Sequence, residues 1–223
     1  MKPKTIKSVL RKKMNSILES IDDDKVRELM SANTIITGGS IASMLLQEKV
    51  NDFDLYFKDI ETTEAVAKYY VKKFNENPPV KYKDDSEMAR PFVKNDAGRI
   101  KIVVTSSGIA SASDEGNKNY EYFEMSNPNA GDEFVEDVLN AAEDAKASES
   151  EGKYRPVFMS SNAITLSNDV QIVIRFYGQP DQIHTNFDFE HCTCSWDSLT
   201  SELRLPEKAL TCLLSRELIY RGS

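Results

Sequence analysis

The stretch from Thr34 to Leu55 constrains this chain most. Thr34-Ile35-Ile36-Thr37-Gly38-Gly39-Ser40 is followed after a short apolar segment by Asn51-Asp52-Phe53-Asp54-Leu55. Thr34 to Thr37 is β-branched and apolar, as a buried strand should be, and the glycine pair breaks it where backbone must turn tightly or approach a ligand. Ser40 is a good N-cap, and Ile41, Ala42, Met44, Leu45 and Leu46 give an apolar stripe over about two helical turns. Amides freed at the glycines and in the first helical turn point outward with the positive end of the helix dipole, a natural seat for phosphate. In the following strand, Asp52 to Phe57, alternation sends Phe53, Leu55 and Phe57 to the core and Asp52 and Asp54 together to the other face. Adjacent carboxylates repel, and a divalent cation between them relieves the repulsion; an all-oxygen ligand set favours Mg2+ or Mn2+. The plainer alternative is a helix-capping turn followed by a strand edge with two surface aspartates.

Gly38-Gly39-Ser40, a short helix and then Asp52-x-Asp54 resemble the signature of the polymerase-β-type nucleotidyltransferase superfamily, which includes CCA-adding enzymes, poly(A) polymerases and aminoglycoside nucleotidyltransferases. The resemblance implies an α+β fold with a mixed β-sheet flanked by helices. It further implies that Gly38, Gly39 and Ser40 bind the phosphates of a nucleoside triphosphate, and that Asp52 and Asp54 hold Mg2+ or Mn2+. The run Val170-Gln171-Ile172-Val173-Ile174, then Phe187-Asp188-Phe189, resembles the region that carries the superfamily's third carboxylate, and it looks like nucleotidyltransferase-type proteins of bacterial viruses. Asp188 is thereby the third catalytic and metal-binding residue, on a strand expected from Phe187 to Cys192, with Glu190 and Asp169 as substitutes and a structural aspartate as the alternative. The long helical domain that selects the base in CCA-adding enzymes has no counterpart here.

The rest of the chain reads as one domain spanning residues 1–223. Two helices are expected over 5–30, with Ile6, Val9, Leu10, Met14, Ile17, Leu18 and Ile21 at helical spacing and Asp22-Asp23-Asp24 as stop and cap. Lys2, Lys4, Lys7, Arg11, Lys12 and Lys13 make the first helix basic, a phosphate-backbone contact or simply a solvated face. A helix over 62–77 ends at Pro78-Pro79, and extended segments follow at Val80-Tyr82 and Arg99-Thr105. Residues 106–153 turn polar and acidic, with one helix-like stretch at 132–147, and lack the apolar residues for a core of their own. Val157–Ser167 and Val170–Tyr177 form a hairpin about Asn168-Asp169. A closing helix over 206–220 should bury Ala209, Leu210, Leu213, Leu214, Leu218 and Ile219, leaving Lys208, Arg216 and Arg221 outward. Trp196 is expected in the core. His191-Cys192-Thr193-Cys194 lacks the second ligand pair of a zinc site; buried thiols and a satisfied strand histidine explain it.

A net charge of -8 excludes a surface basic throughout, so nucleic acid would meet only a local patch. Three cysteines, with no apolar leader and no run long enough to span a bilayer, point to a cytoplasmic, reducing compartment and no membrane partner. Three function classes follow. The first is nucleotidyl transfer to an RNA 3′ end such as that of tRNA; the second is transfer to a protein or small molecule; the third is a catalytically inactive binding or regulatory module on the same fold.

Overall fold

The computed structural model describes residues 1–78, 90–103 and 153–222. The extended segment expected at Val80-Tyr82 and the acidic stretch, except Lys153, lie outside them. The described residues form an α+β fold: a mixed seven-stranded sheet, six α-helices and a separate two-stranded sheet.

Helix α1 (Pro3–Glu19) turns its Ile6, Leu10, Met14 and Ile17 inward, and α2 (Asp24–Asn33) starts where Asp23 accepts the Val26 amide. The acidic stop is therefore a working cap. Strand β1 (Thr34–Thr37), α3 (Gly39–Leu46) and β2 (Phe53–Phe57) follow, then α4 (Ile60–Glu76), capped by Asp59. Strands β3 (Phe92–Asp96) and β4 (Arg99–Val103) make the small sheet. The long strand expected over 157–167 divides into β5 (Pro156–Met159) and β6 (Ala163–Leu166). β7 (Val170–Tyr177) pairs with β6 about Asn168 and Asp169, both left-handed. A short α5 (Pro180–His184), β8 (Ser195–Asp197), β9 (Leu203–Arg204) and α6 (Glu207–Ser215) complete the described chain.

The large sheet runs β5-β6-β7-β2-β1-β8-β9, with β2 and β7 parallel and every other neighbour antiparallel. Its two faces have different fates. Ile36, Leu55, Phe57, Ile164, Ile172, Ile174 and Trp196 share one face and form the main core with α1 to α4. On the other face a small cluster, Ile35, Tyr56 and Ile183 with Val173 and Phe187, is covered by α5 and the segment after it, and Thr37 and Ser195 are buried beside it. That second face carries the site.

Two further expected elements differ. Phe187–Cys192 is not a strand: Phe189 makes a single bridge to Tyr220, and Glu190–Cys192 winds into a 3-10 turn. The alternation of Phe187, Asp188 and Phe189 imitates a ladder, but the adjoining position beside β2 belongs to β7. Helix α6 stops at Ser215, where Arg216 turns left-handed at φ 55°. Leu214, Leu218 and Ile219 are therefore exposed rather than inward, while Ala209 and Leu213 are buried as expected.

Candidate functional site

In-register neighbours on adjacent strands project to the same face. One such row crosses the whole sheet: Phe158, Thr165, Gln171, Asp54, Thr37, Ser195 and Arg204. Asp54 lies at its centre, on the face away from α1 to α4. Its carboxylate is aimed at the glycine turn, for a Cβ added at Gly38 would meet Asp54 Oδ2 at 2.7 Å. Gly38 has φ 95° and ψ -155°, a conformation almost closed to other residues. Gly39 starts α3, is exposed and has nothing near the place of its missing side chain. The first turn of α3 thus has no side-chain cap; Gly39 is its exposed residue, while Ser40, Ile41 and Ala42 are buried. Ser40 contributes less visibly: it is buried, and its Oγ has no hydrogen-bond partner.

Burial first, and the charge of Asp52 second, push the Asp54 carboxyl up to about 7. Asp52 lies at the exposed rim just before β2, and its carboxyl is raised by desolvation and then by Asp169. Asp169 comes from the hairpin turn, where its carbonyl accepts the Phe53 amide at 2.9 Å. The carboxylates that sense one another are therefore Asp52 with Asp54, and Asp52 with Asp169. Asp188 is exposed on the bend before the 3-10 turn, with its carbonyl accepting the Arg221 amide at 2.7 Å. Asp188 is not among the groups that shift Asp52 or Asp54. Among the described residues no three acidic, histidine or cysteine side chains stand together as a metal-holding group.

Further polar support comes from Thr37, His184, Lys13 and Gln171. Thr37 donates its hydroxyl to the Cys194 carbonyl at 2.7 Å, which leaves its oxygen to accept from His184 Nε2–H at 2.8 Å. His184 is held neutral, its imidazole pushed down to about 4 by burial and by nearby Arg221. The Gly38 amide donates to the Cys192 carbonyl at 3.2 Å, tying the glycine turn to the 3-10 turn. Lys13 leaves the solvated face of α1: its ammonium donates to the Asn168 carbonyl at 2.5 Å and sits over the rings of Phe53 and Tyr154. Gln171, a neutral amide, is the direct neighbour of Asp54 on β7. Reading Val170–Tyr177 with a period of two would have placed Gln171 on the face of Asp54. The three cysteines are free; Cys194 and Cys212 are buried, and His191 sits in the 3-10 turn with Nδ1 buried and unpartnered, not satisfied as expected.

These features define a class: an α+β protein with a half-buried carboxylate pressed against an uncapped helix start on the partly open face of a mixed sheet. The model of the Gabija anti-defense 2 family, a family of phage anti-defence proteins, matches residues 8–216, and the chain belongs to that family. No curated protein matches the chain. The family match corrects the resemblance to the polymerase-β-type superfamily, since no nucleotidyltransferase family model matches. A glycine pair and an Asp-x-Asp are short, and such motifs recur without common family. No helix among the described residues is long and apolar enough to cross a membrane.

Proposed function

We propose that the protein acts against the Gabija defence, with the glycine turn and the Asp52–Asp54 pair as its working site. There it takes the phosphates of a nucleoside triphosphate with one divalent cation, and transfers a nucleotidyl group to a protein of that defence. The anti-defence half of this reading rests on the family's description. The chemical half rests on one observation: a half-buried carboxylate, desolvated and repelled by its neighbour, aimed at an uncapped helix N-terminus.

The residues fit one cation. Asp54 and Asp52 offer hard oxygen ligands whose mutual repulsion a Mg2+ or Mn2+ ion relieves. Asp188, the expected third metal-binding residue, is exposed on the bend before the 3-10 turn and is given no part in holding this cation. A bound cation would offset the phosphates' negative charge and polarise the α-phosphorus. The Gly39 and Ser40 amides and the Ser40 hydroxyl would orient the phosphates, and no side chain at Gly38 obstructs them. In the transfer, an acceptor hydroxyl oxygen bonds to the α-phosphorus, the bond to the β-phosphate oxygen breaks, pyrophosphate leaves, and the hydroxyl proton passes to solvent. The family's description favours a defence protein as acceptor over an RNA end.

A second reading, a binding module without catalysis, draws on Gln171 standing where a carboxylate beside Asp54 would complete a ligand set. Purified protein incubated with Gabija components, labelled nucleoside triphosphates and Mn2+ separates the two. Label and a matching mass increase on a Gabija component are expected. Stable complex formation with no label on any component would leave the binding module.

A further inference from the structure

We infer that the 3-10 turn and the C-terminal strap form a ledge for a nucleobase, on which Phe189, His191 and Tyr220 stack the base of the nucleotide bound at the glycine turn. The inference rests on the phosphate site proposed above and adds the part of the nucleotide that site does not reach.

After α6 the chain doubles back as a strap along the 3-10 turn. The Glu190 amide donates to the Ile219 carbonyl at 3.0 Å, the Arg221 amide to the Asp188 carbonyl at 2.7 Å, and the Arg221 guanidinium pairs with Glu190 at 2.8 Å. These bonds fix an aromatic row. The Phe189 and Tyr220 ring centroids are 5.9 Å apart at 70°, and Phe189 and His191 are 5.7 Å apart at 37°. Tyr220 is nonetheless 62% exposed, so its ring is held by backbone and left open on one side. His191 continues the row and is itself partly exposed.

The ledge is anchored to the phosphate site twice. Cys192, the residue after His191, accepts the Gly38 amide through its carbonyl. Arg221, the residue after Tyr220, lies near enough to His184 to depress its imidazole, and His184 bonds Thr37, the in-register partner of Asp54. Rigid aromatic rings beside a phosphate cradle suit a base, because every base has a π-face and stacking needs no further hydrogen-bond code.

Calorimetric titration of the full chain with ATP and with inorganic tripolyphosphate, each with Mn2+, tests the inference. Wild type is expected to bind ATP more tightly than tripolyphosphate. Tyr220→Ala is expected to weaken ATP by about 5- to 150-fold, the range for one lost stacking partner, and to leave tripolyphosphate unchanged. Tyr220→Phe, which keeps the ring, should retain ATP affinity. Equal wild-type affinity for the two ligands, an unchanged ATP affinity in Tyr220→Ala, or an equal loss for both ligands overturns the ledge while leaving the phosphate site standing. Absence of tripolyphosphate and ATP binding to wild type removes the phosphate site, and the ledge with it.

Discussion

Replacing Gly38 by alanine tests the geometry of the site without any assumption about function. At φ 95° and ψ -155° the backbone occupies a region essentially reserved for glycine, so an alanine there costs about 1–3 kcal/mol. The new Cβ would also stand 2.7 Å from Asp54 Oδ2, and ordinary contact begins near 3.4 Å, so the carboxylate must swing aside. An off-rotamer side chain adds roughly 0.5–1.5 kcal/mol. Loss of glycine's freedom in the unfolded chain returns about 0.4–1 kcal/mol. Taking midpoints, the net destabilisation is about 2 kcal/mol, a fall in Tm of roughly 4–8 °C for a chain of this size. Gly39→Ala is the matched control: its φ is not positive, and open space surrounds the added methyl. It should melt with wild type or slightly above. Thermal unfolding followed by circular dichroism decides. Equal melting of Gly38→Ala and wild type, or an equal fall in Gly39→Ala, refutes the reasoning.

The remaining expectations follow from the same site and its supports. The folded chain holds the Asp54 proton more tightly than the unfolded chain, so stability should fall as pH rises from about 4 to 7 and level off above. The contribution is on the order of 4 kcal/mol. Asp54→Asn should flatten that slope and melt above wild type at alkaline pH. Mn2+ should raise the Tm of wild type there but not that of Asp54→Asn, and a rise in both would place the cation elsewhere. Thr37→Val strands the His184 Nε2–H and the Cys194 carbonyl, and should cost roughly 1–3 kcal/mol in denaturant unfolding. Asp59→Ala removes the cap that accepts the Thr62 amide at 2.7 Å, for a loss of about 0.5–2 kcal/mol.

The strand, glycine turn, helix and strand from Thr34 to Phe57 were legible because each border is marked locally: β-branched residues, then two glycines, then an apolar stripe. The hairpin about Asn168-Asp169 was legible for the same reason, since both residues accept the left-handed conformation such a turn needs. Asp188 misled because an acidic residue between two phenylalanines has the period of a strand, while pairing partners are set by tertiary contacts the period does not contain. The closing helix was overrun because leucines continue past Ser215, although Arg216 has already turned left-handed and the chain has folded back onto Glu190. The parallel pairing of β2 with β7, which sets Gln171 against Asp54, joins residues more than a hundred positions apart. No local pattern encodes that distance.

Asp54→Asn keeps the shape of the side chain and is expected to fold at least as well as wild type, so a functional loss in it reports on the site rather than on stability. The decisive measurement is phage plating on Gabija-bearing cells that express either form at matched protein levels. Wild type should restore plaque formation and Asp54→Asn should not. Equal restoration by the two would show that the carboxylate at the glycine turn has no part in overcoming the defence.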